Sequence, residues 1–381
     1  MRTLTLADVP AAVVGGSVLA AGGGGWVDHG YLVGETATRL GEPRLAAIDE
    51  IPDDGIIVTV TAIGSPAAPN WQMLPIDYVR ALQLLIDALD RPVAGLITAQ
   101  NGSSTTLNGW TQSAVLGLPV VDAAGNGRAQ PTGKFGSMGL LGKTDYQTIQ
   151  TAAGGNRSLG RYLEVSVRGP VARADDILRA VSLQAGGFIA AARNPIPASY
   201  VKQHAAVGAI SYAMRLGEAM LAARPQGAEA VIAAAVRETK GRIVGRGPVR
   251  DAQVDTRDSF DFARFRVESP DGALLLHTMN EYMAVDRERA GPRGHRAGRP
   301  TDTEGPVSHE TRLATFPDLI CTLSLETGLP VSVAQMHEGT EVAVLVNSKA
   351  DLPIGTGARE PDAYPEVEAA LGIDLQTYAL A

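Results

Sequence analysis

Residues 55–64 read GIIVTVTAIG, a run of β-branched and small side chains with threonine as the only polar residue. A strand exposed on one face alternates apolar and polar positions. A continuous run bounded by glycines fits a strand buried on both faces. IDYVRALQLLIDALD (76–90) follows, with Val79, Leu82, Ile86 and Leu89 on one helical face. PVAGLITA (92–99) repeats the buried-strand pattern, TQSAVLG (111–117) reads as a helix closed by Gly117, and LPVVDA (118–123) as a third strand. Strands alternating with helices need crossover connections, hence a largely parallel sheet with helices on its faces. We expect an α/β fold whose first part, residues 1–239, is a three-layer α/β sandwich. Ligands of such sheets sit beyond the carboxyl ends of the strands, which directs attention to AIGSP (62–66), AQNGSS (99–104) and DAAGNGRAQP (122–131).

The pattern then changes. RYLEVSVRG (161–169) alternates as a half-exposed strand does, while 173–184, 201–223 and 227–239 are helical, the second with a break at Gly208. From about 240 the period is two: RIVGRGPV, SFDFARFRVES, ALLLHTMNEYMAV, LICTLSLETGLPVSV and EVAVLVN, with hairpin turns at SPDGA (269–273) and ETGLP (326–330). Residues 240–360 are therefore expected to form a second, smaller β-barrel domain. An aperiodic, charged excursion covers 287–312, and a short helix and tail cover 361–381.

Composition narrows the function. A net charge of −8 offers no basic stripe for phosphates, so nucleic acid is not an expected partner. The one basic cluster, 286–300, reads as a solvated loop face. No apolar run is long enough to span a bilayer, and AAVVGGSVLAA (11–21) reads as a buried helix. Cys321 is the sole cysteine, which rules out an intrachain disulfide and suits a reducing cytoplasm. Any metal must then be held by His, Asp and Glu. The apolar content leads us to expect a homo-oligomer acting on a small molecule.

AAGGGGWVDHG (20–30) is the most unusual segment. One glycine ends a helix; Gly22 to Gly25 suggest that bare backbone must face something closely, with Gly23, Gly24 and Gly25 as candidate substrate-binding amides. Asp28 and His29 are either metal ligands or an ordinary helix start. No two of the six histidines stand in HxH or HxxxH spacing, so a metal site would have to assemble from distant segments; His204 beside the break at Gly208 is a candidate member. Asp122 ends a buried strand, where a carboxylate either accepts backbone N–H bonds or takes part in chemistry. Arg128 is positioned to neutralise it or to grip an anionic tail, and Asn101 to bond a carbonyl. Glu281 alternates with Asn280; facing the interdomain cleft it is a proton shuttle, facing outward a surface residue. No GxSxG elbow, Walker loop or dinucleotide fingerprint occurs.

VVGGSVLAAGGGG, AIGSP, GLPVVDAAGNGRAQP, GGF (186–188), GAISYAMRLGEAM and FPDLICTLSLETGLPV, in this order, resemble the S-methyl thiohydantoin desulfurase family, whose genes often stand beside those of hydantoinase type. The resemblance spans nearly the whole chain. It implies an α/β sandwich followed by a small β-barrel, and hydrolysis of an S-methylated thiohydantoin to a hydantoin and methanethiol in the breakdown of ergothioneine-type compounds. It also implies zinc. The chain departs from the family pattern where many members read Asp-Pro-Tyr after the glycines (here Trp26, Val27, Asp28), at the usual acidic residue after GRAxP (here Thr132), and at GAPTV, which is GSPAA over 64–68.

The expected mechanism places Zn²⁺ on Asp28, His29 and His204 to supply hydroxide near neutral pH. Asp122 or Glu281 moves the proton, the amides of the glycine run stabilise the ring's charge, and Arg128 holds a carboxylate. The alternatives are a metal-free hydrolase or isomerase of cyclic ureides with Asp122 as base, and a non-catalytic partner of a hydantoinase-type complex.

Overall fold

A computed structural model describes residues 1–64, 68–257, 260–288 and 312–381. Most of the excursion 287–312, with His295 and His309, lies outside these residues, as do Ser65 and Pro66. The chain is a mixed α/β structure built on two sheets. Among the described residues the first sheet comprises β1 (Arg2–Thr3), β2 (Arg44–Ala46), β3 (Ile56–Gly64), β4 (Val93–Gln100), β5 (Val120–Asn126), β6 (Thr148–Gly154), β7 (Leu163–Gly169), β8 (Phe188–Pro197) and β9 (Ala206–Val207). Their order is β1-β2-β5-β4-β3-β8-β6-β7, with β9 alongside β5. The expected parallel arrangement holds only for β2, β5, β4 and β3. The pairs β3–β8, β8–β6 and β6–β7 are antiparallel. The difference comes from β6 and β8, whose alanine-rich sequences carry no periodic signal.

Helices lie on both faces. Val58, Val60 and Leu96 pack with Leu82 and Leu85 of α3 (Pro75–Asp87). Ile57, Ile97 and Val121 point the other way, onto Ala198 and Val201 of α6 (Ala198–His204). Adjacent strand residues face opposite sides, so these two clusters are separated by the sheet itself. The helix expected over 201–223 is divided as predicted: Gly208 takes a left-handed conformation between α6 and α7 (Ala209–Ala223).

The second sheet runs β14-β13-β12-β11-β10-β16-β15, all neighbours antiparallel. Its strands are β10 (Arg242–Arg257), β11 (Phe260–Val267), β12 (Leu274–Met279), β13 (Glu281–Arg287), β14 (Arg312–Thr315), β15 (Leu319–Ser324) and β16 (Glu341–Asn347). It curls around its own core of Phe265, Leu276, Tyr282, Val285, Ile320 and Val344. Among the described residues β14 and β15, its two edges, are not paired, so this is a half-barrel. The turn at SPDGA joins β11 to β12 with Val267 opposite Leu274.

Helix α1 (Asp8–Leu19) carries the chain into the glycine run, and its position is set by α7. A Cβ on Gly15 would overlap the carbonyl of Ala213, and one on Gly217 the carbonyl of Ala11. The two backbones touch with nothing between them. This explains why two of the resembling stretches, VVGGSVLAAGGGG and GAISYAMRLGEAM, carry glycine: they meet here. Gly217→Ala should push the helices apart and destabilise the fold by about 1–3 kcal/mol, as overpacking against rigid backbone does, read as a lower denaturation midpoint. An unchanged midpoint would show that this contact does not fix α1.

Candidate active site

After α1 the chain turns through Ala21, Gly22, Gly24 and Gly25, all with positive φ. The glycine run is stitched to both sheets. On one side Gly24 C=O accepts from Ser104 N–H at 3.2 Å, and a Cβ on Gly25 would overlap the Ser104 hydroxyl. On the other, Ala21 C=O accepts from Tyr282 N–H at 2.7 Å and Gly22 C=O from Val333 N–H at 2.8 Å. Gly23 lies so close to Glu281 that a Cβ would overlap its carboxylate, and Gly24 N–H donates to Glu281 Oε1 at 3.3 Å. The bare backbone therefore faces the protein's own carboxylate. The expectation that the Gly23 and Gly24 amides hold the substrate is corrected: Gly23 N–H is spent on Ala20 C=O at 2.8 Å, and Gly24 N–H on Glu281.

Glu281 stands at the tip of the β12–β13 hairpin. Asn280, left-handed at φ 56°, makes the bend; its N–H donates to Asp261 C=O at 2.7 Å and its Oδ1 accepts from Asp261 N–H at 2.8 Å. Arg128 secures the hairpin from the first sheet. Fully buried, it donates to the carbonyls of Ala129 (2.8 Å), Asp318 (2.7 Å) and Tyr282 (3.0 Å), with its guanidinium over the Phe316 ring. Three carbonyls occupy the cation, so it is a brace between the sheets, and the expected grip on a substrate tail is corrected on that ground. Glu281 is inward and buried, and its Oε2 has no partner. Burial pushes its pKa up to about 8 against the opposing pull of Arg128, the Gly24 amide and Arg179, so the carboxyl holds its proton at neutral pH.

Glu281 lines a small cavity of about 50 Å³ at the carboxyl ends of β3 and β4 and beneath the loop after β5. Five polar atoms of its lining residues are buried without partners: Thr105 Oγ1, Gln130 Oε1, Thr132 Oγ1, Arg193 Nε and Glu281 Oε2. Each such atom costs roughly 1–3 kcal/mol when left unsatisfied, which makes this lining the most polar feature beside Glu281. A larger cleft, about 620 Å³, lies across the glycine run and shares Gly25 and Asn280 with the cavity. Its walls, including Trp26, Val331 and Val333, are mostly apolar. The small cavity has Glu281 in its lining, whereas Asp28, Asp261 and His337 line the larger cleft.

The other expected residues are dispersed. Asn101 is a pin: Nδ2 donates to the carbonyls of Gly127 (3.1 Å) and Ala209 (2.9 Å), and Oδ1 accepts from Thr106. Asp122 accepts from the N–H groups of Ile210 (3.0 Å) and Ser211 (2.9 Å), capping α7, the structural one of its two expected roles. Asp28 and His29 follow each other in α2 (Val27–Leu40), where consecutive side chains diverge. Asp28 is exposed at the large cleft. His29 is buried beside Trp26 and Trp71, with Nε2 3.1 Å from Tyr78 Oη, and burial lowers its pKa to about 4. His204 lies across the sheet, stacked on Tyr200 with Nδ1 3.2 Å from Thr356 Oγ1. The expected ligand set is not assembled, and among the described residues no group of three His, Cys, Asp or Glu could hold a metal ion. Sequence reading missed Gln130, Arg179 and Arg193, and met Thr132 only as a departure from the family pattern. The one available signal was a lone arginine inside the apolar run FIAAARNP.

Two family descriptions match the chain: S-Me-THD-like, N-terminal domain, over residues 7–161, and S-Me-THD-like, C-terminal domain, over residues 170–352. No curated protein is significantly similar. A crystal structure of a protein from Chromobacterium violaceum is 22% identical, covers 98% of this chain and 98% of its own, and superposes with a TM-score of 0.71, which shows a shared fold.

Two pH dependences follow. The folded Glu281 carboxyl holds its proton up to about 8 whereas an unfolded one releases it near 4.5, so its contribution is full below 4.5 and is lost as pH rises toward 8. Glu281→Gln should therefore flatten the decline in unfolding free energy between pH 5 and 9; an equal decline in both proteins would show that Glu281 is not its source. His29 has the opposite sign. Its folded pKa of about 4 lies below the unfolded 6.5, so stability is present above 6.5 and lost as pH falls toward 4. His29→Gln should remove that acid-side loss in denaturant titrations; persistence of the full loss would place it elsewhere.

Proposed function

The chain belongs to the S-Me-THD-like family, and on that premise we propose that it hydrolyses a ring of the S-methyl thiohydantoin type, exchanging the methylthio group for water and releasing methanethiol. The observation that carries this reading is Glu281, a buried, proton-bearing carboxyl with no partner on Oε2, whose residue lines the small cavity at the carboxyl ends of β3 and β4. The reacting ring carbon resembles that of an S-alkyl isothiourea. Its neighbouring nitrogen must gain a proton before neutral water adds readily, and an acid titrating near 8 suits that task at neutral pH.

Glu281 gives its proton to the ring nitrogen as the water oxygen bonds to carbon, and the resulting carboxylate accepts the surplus proton of that water. In the second half the carboxyl proton goes to sulfur as the C–S bond breaks. The hydroxyl proton returns to the carboxylate as the C=O of the hydantoin forms. The transient carboxylate is stabilised by the Gly24 amide and the nearby Arg128 and Arg179 charges. Gln130, Thr105 and Thr132 supply neutral partners for water and ring. Among the described residues Asp28, His29 and His204 do not come together as a ligand set, so every step of this scheme is assigned to side chains.

The test is methanethiol release from an S-methyl thiohydantoin, followed with a thiol reagent, with metal content measured on the same preparation. Glu281→Gln should lose about 10²–10⁴-fold in kcat/KM, and the wild-type value should fall as pH rises through about 8. A Glu281→Gln protein of undiminished rate would remove Glu281 from the chemistry. Ring opening without thiol release would identify a cyclic-ureide hydrolase instead, and turnover only with an added hydantoinase-type subunit a partner protein.

A further inference from the structure

A cavity of about 50 Å³ has room for about four water-sized groups, so it does not hold a substituted ring whole. The rest of such a molecule must lie in the space that adjoins it. That space is the cleft of about 620 Å³, which shares Gly25 and Asn280 with the cavity and also runs along Gly22 and Gly23. Its volume falls in the range of roughly 300–1,000 Å³ that holds drug-sized ligands. Its apolar walls come from Val13 and Val14 of α1, Val254 of β10, and Leu329 and Val331 between β15 and β16. Trp26 joins the two spaces. It is stacked on Trp71 with 3.9 Å between ring centroids and meets Phe188 edge-on at 4.9 Å, and Phe188 lines the small cavity. Rings packed in this way form a wall that is ordered before any ligand arrives. The cleft and the cavity differ in chemistry. Among the described residues, no side chain lining the cleft has a buried polar atom without a partner. Its titratable lining residues are Asp28, Tyr31, Arg224, Asp261 and His337, two carboxyls against one guanidinium and one imidazole, so the lining offers an anionic arm no excess of positive charge.

We propose that the large cleft is a subsite for an uncharged, bulky apolar substituent, of aralkyl type, on a ring whose reacting edge lies at Glu281. An apolar arm leaves none of its own polar groups unpaired against walls that offer few partners, and its removal from water supplies binding energy that the small cavity is too confined to provide. The arm, held against the Trp26 wall, sets which edge of the ring meets the shared boundary at Gly25 and Asn280. The identity of the ring rests on the hydrolase reading; the apolar subsite does not.

The experiment is calorimetric binding of 5-benzylhydantoin and of 5-methylhydantoin to the full-length protein. The benzyl compound should bind about tenfold or more tightly than the methyl one. That preference should collapse in Val331→Asp, which places a charge on the apolar wall, and shrink severalfold in Val254→Asp. Val254 is 46% exposed on its strand, so its variant keeps the fold and decides the matter alone where Val331→Asp does not fold. Equal binding of the two compounds by the wild type, or no binding of either, would overturn the subsite, as would a preference unchanged in the folded variants. Selective binding of the benzyl compound with no methanethiol release from the matching 5-benzyl S-methyl thiohydantoin supports the subsite and removes the reaction. Methanethiol release from the benzyl and methyl S-methyl thiohydantoins at equal kcat/KM does the reverse.

Discussion

The contact between the Glu281 carboxylate and the side-chain-free backbone of Gly23 and Gly24 is the constraint on which the site depends. A carboxyl from the second sheet reaches the ligand end of the first because two conditions are met at once. Asn280 bends the hairpin sharply enough to present Glu281 at its tip, and the glycine run offers no Cβ to keep it out. Arg128 then locks the arrangement by spending donors on the carbonyls of Ala129 after β5, Tyr282 in β13 and Asp318 before β15. Gly15 and Gly217 act a helix length away, fixing α1 and hence the level at which the glycine run emerges.

The electrostatics follow from this geometry. A carboxyl so enclosed is held in its neutral form even with cations nearby, because burial outweighs their attraction. It can then give a proton at neutral pH, and the same cations steady it once it has done so. Threonine, glutamine and arginine side chains of the same lining also carry buried polar atoms without partners. The large apolar cleft beyond the glycine run lacks this combination.

Much of the first sheet was legible in the sequence because β3, β4 and β5 are continuous apolar runs and α3 has a clean helical stripe. Its antiparallel half was not. β6 reads TIQTAAG and β8 FIAAARNPIP, alanine-rich stretches that pack tightly but give no clear period. Within the site, the glycine run was recognised as a place of close approach, but what approached it could not be read: the answer lay some 250 residues away, in a strand whose parity is reset by the bend at Asn280. Asp122, Asn101 and Arg128 were picked out because buried polar residues at strand ends must be satisfied. Each is, by backbone, which sequence does not distinguish from satisfaction by substrate. Asp28 and His29 misled because adjacency in sequence is divergence on a helix.

The account stands on the Glu281 carboxyl being protonated at neutral pH inside a folded chain. An infrared titration of the carboxyl C=O stretch, taken as the difference between wild type and Glu281→Gln, reports that proton directly. The account predicts a protonated-carboxyl band that persists through pH 7 and fades with a midpoint near 8. A difference spectrum showing only ionised carboxylate from pH 5.5 upward would contradict it.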